Sequence, residues 1–325
     1  MKKFFYSAVV AMVALFTASC SQEEVAETQI PASKKVSTSF SVDIPTSGHS
    51  TRAADANVTR YAVLIENVDD PANPWDVKLV ANGTGWKVDY DNGDTEMKVQ
   101  GSGNITIDGL TDGSKYVAYF WADYDDPTSG VVGASYNVTY ATDIAVTGWD
   151  AVSSSYKVGM AYCGSKSFTA GEDHGAGFSV TLKHAVAKVN FNQTGANQTI
   201  TEAKTLAVSC KLPIHYNLKT QSLIAKTDTW DTEGSIGISV TKPAGEIAAG
   251  ELGSIYILAP DNGTTVSFWY TTDNWTTSNE IASVPLRSNY LTNISGQYFK
   301  ATAGQARFFV SSDDTWATPA NDTTF

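Results

Sequence analysis

The sequence is short of cysteine and histidine. It has 325 residues but only three cysteines and four histidines, far fewer cysteines than a chain built on a disulfide framework. One bond could join Cys163 and Cys210; the alternative is that both are small buried residues. Their spacing fits no zinc motif, and no histidine has a glutamate or cysteine at ligand spacing. We therefore expect no metal and no other cofactor.

Basic residues and catalytic signatures are also scarce. There are 22 Lys and Arg against 34 Asp and Glu, a net charge of −12, which repels phosphate backbones and argues against a nucleic acid partner. The chain has no phosphate loop, no nucleophile elbow and no dinucleotide fingerprint. Pairs of aspartates occur, but in a chain this rich in Asp-containing turns they arise by chance. We expect a protein that is not an enzyme.

The chain has one long apolar run, and it lies at the N-terminus. Lys2 and Lys3 precede apolar residues 4–16, and the small residues Thr17, Ala18 and Ser19 precede Cys20. A basic head, a short apolar core and small residues before the break are typical of a secretory signal. The cysteine directly after them predicts a lipoprotein signal peptide over 1–19, with lipid on Cys20 as the membrane anchor. The alternative is an ordinary signal peptide with a chance cysteine.

The composition after the signal favours β-strands and turns. Apolar or β-branched residues alternate with polar ones from Lys35 to Ile44, which predicts a strand with one buried face. A loop-like segment with Arg52 and Arg60 follows it. Residues 61–65 predict a buried strand, and residues 116–121 a strand apolar enough to be central.

Two local patterns predict more specific elements. Residues 86–90 alternate and lead through the turn-like residues 91–94 into 97–99, which predicts a hairpin. Residues 202–210 and 247–252 hint at short helices.

The longest strand candidate changes phase in the middle. In residues 178–191, Val180 and Val186 share one face, whereas Val189 and Phe191 have the opposite parity. Such a change predicts a bulge or a crossing from one sheet to another, and it marks the predicted domain boundary. Strands at this spacing without helical crossovers predict an all-β fold of two β-sandwiches.

Several segments resemble one family. Residues 182–189 (LKHAVAKV) are similar to its inter-domain strand, and residues 284–296 (VPLRSNYLTNISG) to a late segment with Asn-Tyr, Thr-Asn-Ile and Gly in order. The lipoprotein signal, the Thr51-Arg52-Ala53 step and a C-terminal strand near Phe308 complete the order. The family is the fimbrillin superfamily, the lipoprotein subunits of type V pili of Bacteroidales. The resemblance implies two transthyretin-like (Greek-key) β-sandwich domains in tandem.

The resemblance also implies a mode of assembly. The chain would comprise the signal 1–19, a tether with a removable strand over 20–52, and domains over 53–180 and 181–325. Proteolysis after Arg52 would detach the strand together with the lipid, and the tail of another subunit would fill the edge groove left behind. The removable strand would bury Val36, Phe40, Val42 and Ile44, and the donor strand would use Ala306, Phe308, Phe309 and Val310. Successive insertions would build a head-to-tail filament.

The implied partners are other pilin subunits, the outer membrane through the lipid, and a ligand on a host or bacterial surface. The implied location is the exposed face of the cell outer membrane and the fimbrium.

Five alternatives stay open at the level of sequence. The strand before Ile44 could be a permanent edge strand, and Arg60 competes with Arg52 as the cut site. Either face of residues 306–311, or residues 316–325, could act as donor. The subunit could form the shaft, the anchor or the tip. A stand-alone surface lipoprotein that binds glycans through exposed aromatic residues is the alternative function.

Overall fold

The fold is that of a computed structural model, which describes residues 33–44, 58, 60–70, 75–79, 84–88, 96–124, 136–150, 155–156, 158–172, 177–195, 198–225, 234–272, 279–299 and 308–313. These residues contain 26 strands and no helix, which confirms the all-β fold class. None of the described segments is a long apolar helix of the kind that crosses a membrane. Contacts divide the chain into Met1–Lys35 and Val36–Phe325. The first has three described residues, 33–35, all exposed, and the hydrophobic cores lie within the second.

The first half of the strands runs to residue 181. They are β1 Lys35–Asp43, β2 Arg60–Asn67, β3 Trp75–Leu79, β4 Thr84–Val88, β5 Lys98–Gln100, β6 Asn104–Thr111, β7 Lys115–Asp123, β8 Tyr136–Tyr140, β9 Asp143–Val146, β10 Trp149–Asp150, β11 Ser155–Tyr156, β12 Ala161–Thr169 and β13 Phe178–Thr181.

The second half begins two residues later. The strands are β14 Lys183–His184, β15 Val186–Gln193, β16 Gln198–Ile200, β17 Lys204–Leu212, β18 His215–Asn217, β19 Ser222–Ile224, β20 Gly234–Lys242, β21 Gly245–Ile247, β22 Gly250–Leu258, β23 Thr264–Thr272, β24 Asn279–Leu286, β25 Leu291–Gly296 and β26 Phe308–Asp313.

Two five-stranded sheets enclose the first core. Their orders are β13-β1-β6-β3-β4 and β14-β12-β7-β2-β5, and the side chains between them include Phe40, Ile65, Phe120 and Phe168. Strand β7 pairs along its whole length with β12 and along most of it with β2. The predicted central position of residues 116–121 is therefore confirmed.

A third layer covers the other face of the β7 sheet. Its order is β19-β18-β9-β8, and it buries Leu64 and Trp121 against Tyr136, Ile144 and Tyr216. Because β2 packs on both faces, residues 61–65 form the buried strand that their unbroken apolar run predicts. The layer takes strands from both sides of residue 180, and the division into domains 53–180 and 181–325 stays a prediction.

The second core lies between a four-stranded and a six-stranded sheet. Their orders are β22-β15-β25-β26 and β10-β11-β20-β17-β23-β24. A short two-stranded pair, β16-β21, contributes Ile200 and Ile247 to the same core. Phe191 of β15 packs against Phe268 of β23, with ring centroids 5.6 Å apart. The Tyr298 ring packs against Phe191 and against Tyr270 of β23. The short strands β10 and β11 thus join the sheet of β20 from the first half of the chain.

The long candidate strand over residues 178–191 passes through three sheets. Strand β13 lies beside β1, β14 beside β12, and β15 between β22 and β25. The phase change in the sequence is the consequence of these crossings, so the predicted crossing is confirmed.

The predicted hairpin of residues 86–90 and 97–99 is wrong. Strand β4 pairs with β3, whereas β5 pairs with β2 in the facing sheet. A local turn signal between two alternating segments indicates a reversal of the chain, but it does not decide which sheet receives the second strand.

The two helix hints are also wrong. Residues 204–212 form β17, which pairs with β20 on one side and β23 on the other, so its sheet partners override weak helical propensity. The second hint spans the end of β21 and the start of β22. Gly250, the first residue of β22, has φ +145°, a backbone conformation that a helix cannot contain.

Candidate functional site

The predicted removable strand, β1, lies inside its sheet. On one side it runs parallel to β13, with Phe40 opposite Phe178 and Val42 opposite Val180. On the other side the Val42 amide donates to the Gly103 carbonyl at 2.9 Å. Further along β6, hydroxyl contacts join Ser39 to Thr106 and Ser37 to Asp108, so β1 and β6 are antiparallel.

This position corrects the sequence interpretation, which placed β1 in an edge groove. Strand β1 has hydrogen-bonded neighbours on both sides, so it is not an edge strand. Its removal would leave a gap between β13 and β6, which we call the slot. The unpaired edge of each strand would offer backbone donors and acceptors to an incoming chain.

The alternation predicted for β1 is present in its burial. Thr38, Phe40 and Val42 are buried, while Lys35, Ser37, Ser41 and Asp43 are exposed. Val36 and Ile44 share the inward parity and pack, half-buried, against the same core.

Phe40 is the anchor of β1. It is 2% exposed, and its ring lies 5.2 Å from Phe168, 5.3 Å from Phe120 and 5.8 Å from Phe178 between centroids. Full burial of an aliphatic or aromatic side chain contributes about 1.5–3 kcal/mol. Phe40 and Val42 with the half-buried Val36 and Ile44 therefore supply on the order of 5–9 kcal/mol before entropy costs.

Two glycines line the slot where backbones approach closely. A Cβ at Gly103 would stand 2.5 Å from the Val42 carbonyl oxygen, and one at Gly177 would stand 2.9 Å from that of Ser39. Gly177 also has φ +72°, a left-handed conformation that glycine adopts without steric cost. At these two points the walls of the slot contact the backbone of β1. Because every strand has the same backbone, these contacts do not depend on the side chains of the strand in the slot.

The two candidate cut sites differ in their surroundings. Arg52 lies outside the described residues, as does the lipidation residue Cys20. Arg60 starts β2, and its guanidinium forms a two-point ion pair with the buried Asp123, with Nε to Oδ1 at 2.7 Å. It also donates to the Tyr136 carbonyl at 3.0 Å. Proteases cut exposed, unpaired chain, so the folded protein protects Arg60.

The predicted donor residues lie on a sheet edge. Strand β26 pairs antiparallel with β25 alone, from Phe308 opposite Gly296 to Asp313 opposite Leu291. Phe308 is half-buried against Tyr298 and Tyr270, with centroids 4.9 and 5.0 Å apart. Phe309 is 69% exposed and Val310 is 36% exposed, and Ala306 lies outside the described residues. Strand β26 is therefore held far more weakly than β1.

The remaining chemically active side chains have structural partners. Cys163 and Cys210 are free and buried, and burial raises the pKa of Cys163 to about 11 and of Cys210 to about 12. They sit in different cores, so the alternative of two small buried residues is the correct one. Within the described ranges no three His, Cys, Asp or Glu side chains cluster as metal ligands.

Both histidines that the structure describes, and one of the two tryptophans whose side chains it describes, have hydrogen-bond partners. His184 Nδ1 lies 3.0 Å from Asn289 Oδ1, and His215 Nδ1 lies 2.6 Å from Asp143. Trp121 is buried and donates to Asp123 at 2.9 Å. Trp269, on the outer face of β23, is 38% exposed.

Sequence reasoning missed the walls of the slot and found its occupant. The period-two pattern predicted β1, because the alternation lies within the strand itself. The neighbours β13 and β6 are more than 60 residues away in sequence, and glycines 103 and 177 carry no pattern that points to β1.

Comparison with known proteins gives a family and a set of similar folds. The profile described as "Family of unknown function (DUF6562)" matches residues 28–324. A search of curated proteins finds no match.

The solved structures with a similar fold include the following three. A candidate adhesin from Bacteroides thetaiotaomicron is 8% identical, with TM-score 0.49, and the match covers 89% of this chain and all of that one. The tip fimbrial protein Mfa3 from Porphyromonas gingivalis, truncated at its C-terminus, is 13% identical, with TM-score 0.42 and coverage of 86% and 99%. The fimbrial anchor protein Mfa2 from the same organism is 10% identical, with TM-score 0.44 and coverage of 85% and 97%. The latter two are fimbrial proteins.

Proposed function

The chain belongs to the family of unknown function DUF6562, and we propose that it is a non-enzymatic structural and adhesive subunit of a type V pilus. The observation that carries the proposal is that the chain has both a deeply buried N-terminal strand and a weakly held C-terminal strand. Strand β1 completes a core at one end of the chain, and β26 lies exposed on a sheet edge at the other. Exchange of the first for the second in a neighbouring subunit would join subunits head to tail.

The proposed route to the surface begins with the lipoprotein signal. Removal of residues 1–19 and acylation of Cys20 would hold the precursor on the outer membrane, at about 0.8 kcal/mol for each buried methylene. The chain upstream of Arg52 contains both Cys20 and β1. One cut would therefore release the lipid anchor and the strand together.

The burial of β1 favours one of the possible donor registers. Thr38, Phe40 and Val42 occupy the three fully buried positions, and residues 306, 308 and 310 are Ala, Phe and Val. In this register a small residue replaces Thr38, while phenylalanine and valine are retained. The opposite face would place Arg307 at the position of Thr38 and Ser311 at that of Val42, which would bury an unpaired charge.

Specific cleavage at Arg52 tests this proposal. We expect limited digestion of the precursor with an arginine-specific protease to yield a product that starts at Ala53. SDS-resistant ladders should then appear on gels. Arg52→Gln should block both events, whereas Arg287→Gln, which removes an exposed arginine elsewhere, should block neither. N-terminal sequencing and gel analysis give the two readouts. A product that starts at Ala53 and stays monomeric would refute strand exchange.

The exposed Trp269 favours a second candidate function, a surface lipoprotein that binds glycans. Its neighbour across the strands is Glu280, which accepts a hydrogen bond from Ser267 at 2.6 Å. An exposed indole beside a carboxylate can stack on a sugar ring and accept from its hydroxyls. We expect Trp269→Ala to lower binding on a glycan array at least tenfold if this function is correct. Tyr140→Ala, a loss of another exposed aromatic residue, is the control.

A further inference from the structure

An open cavity lies beside a turn in the second sandwich. Its volume is about 580 Å³, and its lining includes Thr264, Thr265, Pro285, Arg287, Tyr290 and Ser312. This size is within the range of small-molecule sites. The lining combines one arginine, one aromatic ring and the hydroxyl groups of two threonines and one serine. Among these residues, Ser312 alone lies on a strand with a role in the proposed exchange, β26.

The turn that carries Arg287 and Tyr290 is held rigidly. The Tyr290 amide donates to the Arg287 carbonyl at 3.2 Å, and Asn289 between them has φ +66°. Asparagine tolerates this left-handed conformation better than most residues. The Asn289 amide donates to the Val186 carbonyl at 3.0 Å, and its side-chain oxygen accepts from the His184 amide at 3.3 Å. The turn is therefore fastened to β14 and β15 from both its backbone and its side chain.

The Arg287 side chain is fixed before any ligand arrives. Its Nε donates to the Asp261 carbonyl at 2.8 Å, and its Nη1 donates to the Tyr290 hydroxyl at 3.1 Å. The guanidinium also lies 4.7 Å from the centroid of the Tyr290 ring. Because these contacts set its position, a ligand would not have to pay most of the side-chain entropy of ordering an arginine.

The positive charge of Arg287 is not neutralised in the described part of the chain. Asp261, whose backbone carbonyl accepts from Arg287, has its carboxylate in an ion pair with Lys183 at 2.8 Å. Lys183, and to a smaller degree Arg287, lowers the pKa of the Asp261 carboxyl. The group of two cations and one carboxylate keeps one net positive charge, in a chain whose formal charge is −12.

We propose that this cavity binds a carboxylate-bearing sugar, of the uronic acid or sialic acid class. Guanidinium binds carboxylate through two parallel hydrogen bonds, and three of the five Arg287 N–H donors are not used by the contacts above. The hydroxyls of Thr264, Thr265 and Ser312 match the hydroxyls of a sugar ring, and Pro285 offers an apolar surface to its C–H face. An acidic peptide would satisfy the arginine but leave most of these hydroxyls unused.

Binding of paired probes to the uncleaved full-length chain tests the proposal. We expect glucuronate or N-acetylneuraminate to bind with a millimolar or tighter Kd in NMR titrations. The methyl ester of the bound sugar, which differs only by the lost charge, should bind at least tenfold more weakly. Glucose should not bind measurably. Raising the salt concentration should weaken binding of the acid, because Arg287 is exposed.

Variants locate the binding. Arg287→Gln should weaken binding at least tenfold, and Arg287→Lys should weaken it several-fold, because lysine keeps the charge but loses the planar fork. Lys211→Gln, which removes an exposed cation on β17, should leave the Kd unchanged. Equal binding of the acid and its ester, or unchanged binding by Arg287→Gln, would overturn the proposal. Glutamate binding as tightly as glucuronate would assign the site to an acidic peptide and would also overturn it.

The proposal goes beyond strand exchange and is separable from it. The Arg287 contacts described above are to Asp261 and Tyr290 and not to β1, so Arg287→Gln should still form SDS-resistant ladders after cleavage. Loss of sugar binding with normal assembly supports the site alone. Assembly failure in wild type with intact sugar binding would refute the pilus mechanism and leave the site standing.

Discussion

Phe40→Ala should lower the free energy of unfolding of the uncleaved chain by about 3–5 kcal/mol. The ring is 2% exposed and packs against three other aromatic rings from two facing sheets, so its loss leaves a cavity that the surrounding strands cannot close. Urea unfolding followed by tryptophan fluorescence measures the change. Ser41→Ala, one residue away on the exposed face, should change stability by less than about 0.5 kcal/mol.

The same variant separates a removable strand from a permanent one. If β1 leaves with the cleaved segment, Phe40 is absent from the polymer, and Phe40→Ala polymer should resist heat and SDS as well as wild type does. Assembly after cleavage should also be faster, because the strand that must leave is held by one less buried side chain. If β1 is permanent, the variant polymer should instead be as weakened as the precursor. That result would contradict strand exchange at this slot.

The sequence predicts the strands of the functional site better than their partners. Alternation over residues 35–44 identified β1 with its inward residues, because period-two burial is a local property of a strand. The phase change between Val186 and Val189 predicted a bulge or a crossing between sheets for the same reason. Both signals are contained within fewer than twenty residues.

Pairing between distant strands is where sequence reasoning failed. The turn-rich residues 91–94 suggested a hairpin, yet β4 and β5 belong to facing sheets. The slot for β1 is formed by β6 and β13, which are distant from it and from each other in the chain. No local pattern states which strands will be neighbours, since that choice depends on how the whole core is filled. The same limit made β1 look like an edge strand.

Chemical interpretation of single residues depended on burial. Arg60 competes with Arg52 as the cut site in the sequence, but in the structure it begins a strand and is paired with the buried Asp123. Arg287 and Tyr290 lie within a segment recognised for its family resemblance, and their stacked geometry becomes visible only in the folded turn. A signal did exist in the sequence: an Arg-x-Asn-Tyr turn, in which asparagine favours the left-handed conformation that brings the two side chains together.

Phe308→Ala should destabilise the polymer more than the uncleaved chain, which is the opposite of what we expect for Phe40→Ala. In the uncleaved chain the Phe308 ring is half-buried against Tyr270 and Tyr298, so we expect a loss of about 1–2 kcal/mol, below the range for a fully buried phenylalanine. In the polymer it would take the position of Phe40, where the loss should be about 3–5 kcal/mol. The SDS-resistant ladders of the cleaved variant should therefore largely disappear.

Phe309→Ala is the matched control, because it removes the same side chain one residue away. Phe309 is 69% exposed, and in the favoured register it takes the position of the exposed Ser41. We expect wild-type precursor stability and wild-type ladders, measured by urea unfolding and by gels after Arg-specific cleavage. If Phe308→Ala assembles as wild type does, the donor is not this strand, and residues 316–325 become the candidate. If Phe309→Ala abolishes the ladders and Phe308→Ala does not, β26 inserts with its other face, and the register derived from the burial of β1 is wrong.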